Sequence, residues 1–498
     1  MCYTKPYHDK RDALESNRIE FCIKAERDNE MLENYKNEKG GNVANTAELP
    51  DSFIETASAK ILNNNEIANE LYLKHDVKRG LRNANGTGVL VGLTKVGDVI
   101  GYDVNEKNEK VAIDGKLLYR GYDVGDLVAN CIKENRFGFE ETTYLLLFGE
   151  LPTKTQLDEF TCLLGTKREL PVSFTRDMIM SVPSPSIMNK LAQSVLAMYS
   201  YDPDPDNIAV PNVLRQSIEL IGYFPALIAY AYQSKKLYFD NRSMHLRHPI
   251  PELSTAENIL RMVRSNGEFS DFEAKLLDVS LILHTEHGGG NNSSFTTHVL
   301  SSSDTDTYSV IAAAIGSLKG PKHGGANISV IRMMEDLKAN VKDLSNIKAV
   351  EDYFVKVLRG EAHDRSGLIY GLGHAIYTIS DPRAVILKDM ARRLAEDKGI
   401  LEEFMVYDYI EKHAPELYKE VKGEDTPLPA NVDLYSGFVY SALNIPNEIA
   451  TPLFAMARLS GWCAHRIEEI VAGKRLIRPA YKGVQPERTY TQIGDRGK

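Results

Sequence analysis

From residue 119 onward the apolar residues of this chain recur with the helical period, and at no point does a strand pattern alternate with a helical one. That feature constrains the fold most. A chain without strand–helix alternation does not build a doubly wound or barrel sheet, and has to bury its apolar stripes helix against helix. Residues 271–283 read as an amphipathic helix with Phe272, Leu276, Leu277, Val279 and Leu283 on one face. Residues 309–318 include Ile311-Ala312-Ala313-Ala314-Ile315-Gly316, small and apolar on every side, which predicts burial all round. One β patch stands out near residues 88–118. Val89, Leu90, Val91 and Leu93 precede Val96-Gly97-Asp98-Val99-Ile100, and residues 111–113 lead into Asp114-Gly115, a turn dipeptide. Residues 202–211, rich in Pro and Asp, and residues 240–255 read as loops. The expected fold class is all-α, mostly helical, with a small β patch and a polar extension at residues 1–50.

Length and charge narrow the function. The 498 residues allow several domains, or one large core carrying a smaller one. With 59 Lys+Arg against 69 Asp+Glu the net charge is −10, without the basic excess of a nucleic-acid binder. The five cysteines (Cys2, Cys22, Cys131, Cys162, Cys463) are scattered, odd in number and lack a CxxC. They fit neither a disulfide framework nor a zinc ribbon, and point to a reducing compartment. No apolar run reaches the roughly 18 residues of a membrane span. The first 50 residues have no apolar core of a signal peptide and are acidic rather than Arg-rich, so the cytoplasm is the expected location.

Four clusters could carry chemistry. In His284-Thr285-Glu286-His287-Gly288-Gly289-Gly290-Asn291-Asn292 a helix runs into three glycines that would let a ligand reach the backbone. A metal on His284 and His287 and a plain capped helix end both stay open there, although the metalloprotease spacing is absent. In Gly320-Pro321-Lys322-His323-Gly324-Gly325 the glycines leave room for a substrate at the His323 ring, or His323 is a bare loop residue. Gly371-Leu372-Gly373-His374 is followed by Ser380-Asp381-Pro382-Arg383. Asp381 can cap a helix whose first turn holds Arg383, a setting for an anion or for a salt-bridged arginine. In Asn431-Val432-Asp433-Leu434-Tyr435-Ser436-Gly437, Asp433 is a partly buried carboxylate or an ordinary N-cap. Arg458 and Arg478 follow downstream.

Together these clusters resemble the citrate synthase family, from Asp76-Val77-Lys78-Arg79-Gly80 to Tyr481, including Leu118-Tyr119-Arg120-Gly121 and Leu146-Leu147-Phe148-Gly149-Glu150-Leu151-Pro152. The resemblance implies that His323, His374 and Asp433 are catalytic. It implies that His287 contacts the oxaloacetate ketone and that Arg383, Arg458 and Arg478 bind carboxylates. It implies a large helical domain at 51–322 and 436–498, a small one at 323–435 with the active site in the cleft, and a homodimer in which Arg478 reaches the partner's site. The implied reaction is condensation of acetyl-CoA with oxaloacetate and water to citrate and CoA, with no metal or redox cofactor. Those residues suit it. A carboxylate can take a proton from a thioester methyl only if a donor such as His323 stabilises the enolate oxygen at the same moment. His374 and His287 would donate to the ketone oxygen as charge develops, and guanidinium forks bind carboxylates bidentately.

Two departures from the family pattern are visible. Glu286-His287-Gly288 replaces an Asp-His-Glu run, and Tyr377-Thr378-Ile379 lacks a basic residue that serves CoA phosphates in relatives. CoA-binding residues are therefore left open, with Lys322 or Lys388 as substitutes. The competing readings are a 2-methylcitrate synthase using propionyl-CoA, a non-catalytic acyl-CoA-binding relative, and a metal-dependent hydrolase using His284 and His287.

Overall fold

The computed structural model describes residues 51–496 except Asp425, with backbone alone at 51–53. The expected extension at 1–50 lies outside the described residues. Described residues up to Ala84 form one compact unit and those from Asn85 another. The first holds helices α1 (Asp51–Asn65) and α2 (Asn69–Lys74) and a short 3-10 turn, Arg79–Leu81.

The second unit is built from helices. After a three-stranded sheet come α3 (Val124–Lys133), α4 (Phe139–Phe148), α5 (Lys154–Thr166), α6 (Ile187–Met198) and α7 (Val210–Tyr238). They are followed by α8 (Thr255–Val263), α9 (Asp271–His284), α10 (Asn292–Ser301), α11 (Thr307–Lys319) and α12 (Ala326–Asn340). The last are α13 (Ile347–Leu358), α14 (Pro382–Lys398), α15 (Leu401–Lys422), α16 (Val432–Ala442) and α17 (Ala450–Ala472). The mostly helical fold expected from the sequence is the fold observed.

Local chemistry sets the boundaries. The amphipathic segment at 271–283 is α9, begun by a capping box in which Ser270 Oγ accepts from Glu273 N and Glu273 accepts from Ser270 N. The Ala-rich run lies in α11, capped by Asp306. Its Ile311, Ala314, Ile315 and Leu318 are fully buried, but Gly316 is exposed, because its face has no neighbour within the chain. Helix α17 packs on α7, α10 and α4, while α16 packs on α12 and α14. The two arrangements meet where α12 touches α17. Among the described residues no helix is long and apolar enough to cross a membrane.

The β patch differs from expectation in an informative way. Residues 89–93 form no strand. Strand β1 (Gly97–Val104) pairs antiparallel with β2 (Lys110–Tyr119), and β2 with the short β3 (Tyr122–Asp123). Asp114-Gly115 makes no turn. It lies inside β2, opposite a register shift between Ile100 and Tyr102, and the hairpin reverses at residues 105–109, where Asn105 N donates to Glu109 O at 3.0 Å. The physical reason for the glycine is contact. A Cβ on Gly115 would collide with the Ser380 carbonyl oxygen and lie 2.7 Å from the Tyr377 ring, and one on Gly101 would lie 2.7 Å from Ile376 O. The sheet uses bare backbone to seat the segment that follows His374.

Candidate active site

Helix α9 delivers the first histidines. His284 is its last residue, and His287 follows beyond its end. His284 is buried, with Nδ1 donating to Ser280 O at 2.6 Å, and burial pushes its pKa down to about 3. It is a neutral core histidine edge-on to Phe454 at 4.8 Å. His287 is buried too, its Nε2 has no hydrogen-bond partner, and burial with Arg383 nearby holds it well below the usual histidine range. His284 Nε2 likewise has no hydrogen-bond partner, and neither histidine belongs to a ligand-like grouping of three or more among the described residues. Among the described residues the His/Glu grouping with ligand-like spacing is His298, His465 and Glu468 instead.

The second cluster is a tight turn between α11 and α12. His323 N donates to Gly320 O at 2.9 Å and Gly324 N to Leu318 O at 3.0 Å. Gly324 and Gly325 serve this turn rather than access to the ring. A Cβ on Gly324 would collide with Leu318 O, and one on Gly325 would lie 2.7 Å from Pro321 O. His323 Nε2 meets Ser293 Oγ at 3.0 Å, and the same oxygen accepts from Trp462 Nε1 at 3.1 Å. Burial first, then Arg458, lowers the His323 pKa to about 4. The ring is neutral and clamped through Nε2, with Nδ1 outside that bond.

The third cluster sits on the sheet. Gly371 and Gly373 have φ of 87° and 80°, which favours glycine. Gly373 N donates to Pro429 O at 2.8 Å, Asn431 N to Gly371 O at 2.9 Å and Asn431 Nδ2 to Gly373 O at 3.0 Å, tying the loop to the start of α16. His374 Nδ1 accepts from both Ile376 N and Tyr377 N at 3.0 Å. Its single proton is therefore on Nε2. Burial, then Arg383, lowers its pKa to about 4. The ring stacks on Tyr377 at 4.5 Å and stands edge-on to His287 at 5.3 Å. Asp381 caps α14 as expected, accepting from Arg383 N at 3.0 Å. It also grips the Arg383 side chain, Nε–Oδ1 at 3.0 Å and Nη2–Oδ2 at 2.7 Å. Arg383 is thus a paired arginine, but a buried one.

The fourth cluster supplies the carboxylate. Asn431, not Asp433, is the N-cap of α16, accepting from Asp433 N at 3.0 Å. The Asp433 carboxyl is left for other work in the first turn. Burial raises its pKa to about 6, held from going higher by Arg383 and Arg458. Arg458, on α17, is fully buried. Its Nε donates to His284 O at 2.7 Å and its guanidinium lies 4.8 Å over the Phe454 ring, while Nη1 and Nη2 have no hydrogen-bond partner. Burial lowers its pKa to about 10, still a cation at neutral pH.

Two arginines thus organise the site. Arg383 acts on His287, His374 and Asp433, and Arg458 acts on His287, His323 and Asp433. Six of the seven residues singled out in the sequence come together around them. Arg478 does not join them within one chain. It is exposed, on the segment after α17, where Ile477 N donates to Ser302 Oγ at 3.1 Å. Of the two lysines considered for CoA, Lys388 is engaged by Asp408 at 2.7 Å and by Glu411, while Lys322 is exposed. A cavity of about 540 Å³ lies between α14 and α15, but its Lys388 is held by Asp408 and Glu411 and its Lys412 by Asp408 at 2.6 Å. Sequence reasoning missed Ser293 and Trp462. Ser293 adjoins the Asn291-Asn292 pair, yet nothing local ties it to a ring 30 positions on.

An arrangement of one half-buried carboxylate, three neutral imidazoles and two buried guanidiniums suits removal of a carbon-bound proton beside a dianionic acceptor. The comparisons with known proteins agree. Residues 85–480 match the family model "Citrate synthase, C-terminal domain". A citrate synthase of Synechocystis sp. is 34% identical over 74% of this chain and 84% of its own. A 2-methylcitrate synthase 1 of Corynebacterium glutamicum is 35% identical over 76% of this chain and 92% of its own. A solved citrate synthase of Thermoplasma acidophilum, in a ternary complex with carboxymethyl coenzyme A and oxaloacetate, aligns with a TM-score of 0.67 and 27% identity, covering 84% of this chain and 99% of that one.

Proposed function

This chain belongs to the citrate synthase family, and from that premise we propose how its residues make citrate. It is a transferase that condenses acetyl-CoA with oxaloacetate and water, releasing citrate and CoA. Asp433 takes a proton from the acetyl methyl. With the Ser293 hydroxyl turned from Asn291 to donate to its Nε2, His323 donates from Nδ1 to the thioester oxygen, so that charge leaving carbon is caught as it forms. The enol carbon then attacks the oxaloacetate ketone. His374 donates from Nε2 to the ketone oxygen, assisted by His287. Arg458, Arg383 and Arg478 of the partner subunit hold the two carboxylates, and water hydrolyses citryl-CoA. The protein works as a homodimer, with the exposed position of Arg478 as support. The small domain at 323–435 closes on oxaloacetate before acetyl-CoA enters, limiting thioester hydrolysis. The reaction needs no resident metal or redox cofactor. The three described cysteines are unpaired, which supports the cytoplasm as the location.

The observation that carries this reading is the shared pair of buried arginines beneath a raised-pKa carboxylate and two neutral histidines. Measuring CoA release with oxaloacetate and either acetyl-CoA or propionyl-CoA tests it. We expect higher kcat/KM with acetyl-CoA and full activity in excess chelator. One extra methylene changes binding by only about 1–3 kcal/mol, so a higher efficiency with propionyl-CoA would reassign the acyl substrate. No CoA release with either would overturn the reading.

A further inference from the structure

Beneath the site lies a buried row of acid–base groups that the reaction does not use. Glu286 Oε1 meets His465 Nε2 at 3.0 Å, His465 Nδ1 meets His298 Nε2 at 3.1 Å, and His298 Nδ1 meets Glu469 Oε2 at 2.7 Å. Three links need three protons. Two neutral imidazoles carry two, and ionised carboxylates carry none. With both rings neutral and donating outward to the acids, two lone pairs would face each other across the central gap. The row therefore holds one proton more than neutral histidines and ionised acids supply, wherever along the row it sits.

The row ends next to Arg458. The Glu286 and His465 side chains are fully buried. Gly97 and Gly461 make room for Glu286: a Cβ on Gly97 would lie 2.7 Å from Glu286 Cγ, and one on Gly461 would collide with Oε2. Glu286 Oε2 has no hydrogen-bond partner, and neither do Arg458 Nη1 and Nη2, although the two charges interact. Arg458, Gly461, His465, Glu468 and Glu469 follow one another along α17. His465 holds the Glu286 carboxylate towards the far end of that helix, and the extra proton offsets its charge.

We propose that the proton shared by His298 and His465 keeps Glu286 from pairing with Arg458, which leaves the Arg458 guanidinium free for a substrate carboxylate and makes both histidines positioning residues for the dianionic acceptor. This rests on Arg458 being a carboxylate ligand. The charged and titratable groups facing the row are Glu286, Glu468, Glu469, Arg120, Arg458 and Tyr119. Glu468 Oε1 accepts from Lys95 N at 2.6 Å, and its Oε2 is 3.9 Å from His465 Nδ1. Burial alone would lower the His465 pKa, but Glu286 and Glu468 outweigh it and bring it up to about 9. The row then keeps its proton at neutral pH and loses it as pH rises through about 9, so oxaloacetate affinity should fall there.

His298→Gln tests this. The amide nitrogen can still donate to His465 Nδ1, which leaves His465 neutral with its hydrogen towards Glu286 and removes the extra proton, together with the donor that His298 Nδ1 offers to Glu469. We expect KM for oxaloacetate to rise about tenfold, with kcat and KM for acetyl-CoA nearly unchanged and the alkaline fall in affinity gone. His298→Arg, a permanent cation with donors for both neighbours, should restore the low KM. In the unmutated protein, ¹⁵N NMR of labelled histidines should show one imidazolium charge on this pair at neutral pH, a readout independent of folding in any variant. Two neutral rings, an unchanged KM in His298→Gln, or failure of a folded His298→Arg to restore it would each overturn the proposal. So would a tightly bound stoichiometric divalent metal, since the ligand atoms of His298, His465 and Glu468 lie within 4.8 Å of one another. Arg458→Ala separates the two levels. If it leaves oxaloacetate binding intact, the role of Arg458 itself is wrong. If it abolishes binding while His298→Gln changes nothing, only the row's role is wrong.

Discussion

In the proposed reaction Asp433 takes a proton from carbon, and its surroundings make it a stronger base than a surface carboxylate. Burial moves its pKa from the ordinary 3.8 to about 6, while Arg383 and Arg458 keep it ionised at neutral pH. The ionised form is the base, so kcat/KM should fall as pH drops through about 6, which a pH–rate profile reads directly. Asp433→Asn should cut turnover by at least about a hundredfold and leave oxaloacetate binding, measured by calorimetry, largely intact. Unchanged turnover would remove Asp433 from the mechanism. The same shift has a consequence for stability. A folded-state pKa above the unfolded one means that the folded chain binds the proton more tightly. The stabilisation this gives is present below the unfolded pKa and is lost as pH rises through about 6. At pH 8 the ionised Asp433 therefore destabilises the fold, by roughly 3 kcal/mol at most. Asp433→Asn should melt at a higher temperature than the parent at pH 8, and the difference should vanish near pH 4.

The element that seats His374 is a sheet with holes in it. Gly101 and Gly115 accept the backbone of Ile376, Tyr377 and Ser380 where any side chain would stand. That contact holds the two amides that fix the His374 proton on Nε2. Gly115→Ala should displace the loop and lower kcat by about tenfold or more, at a cost of about 1–3 kcal/mol in denaturant unfolding. A variant with parental kcat would show that the loop does not depend on the sheet. This is also where the sequence was least legible. Asp114-Gly115 carries the signature of a turn, and local chemistry alone cannot reveal that a glycine is needed for a neighbour more than 260 positions away. Helices α9 and α11 were legible, because periodicity and caps are local. The segment at 89–93 is a short apolar run but forms no strand, and pairing decides a strand. The site histidines and Asp433 were legible because each lies within a few residues of glycine or a helix start. Ser293 and Trp462, which clamp His323, are 169 positions apart and could be found only in three dimensions.

At the scale of the molecule, the question is whether one chain makes a whole site. Six of the seven candidate groups converge within the second unit, but Arg478 stands exposed beyond α17, and α11 leaves Gly316 uncovered. Two unpartnered features on one chain are what a two-fold assembly resolves, since the same surface then meets itself. If Arg478 serves the partner, Arg478→Ala and Asp433→Asn damage opposite halves of a composite site. Each homodimer is then inactive, for different reasons. A mixed dimer has one site with Asp433 from the first chain and Arg478 from the second, and that site is complete. Its other site lacks both. With equal amounts and free exchange, about half the dimers are mixed and each has one of two sites intact, so about one quarter of the parental activity should return. Native mass spectrometry of differently tagged chains can establish the exchange before activity is read. Mixed dimers with no recovery would place Arg478 on its own chain's site or outside the chemistry. Recovery near one quarter would exclude both, because only a residue lent across the interface lets two defective chains repair each other.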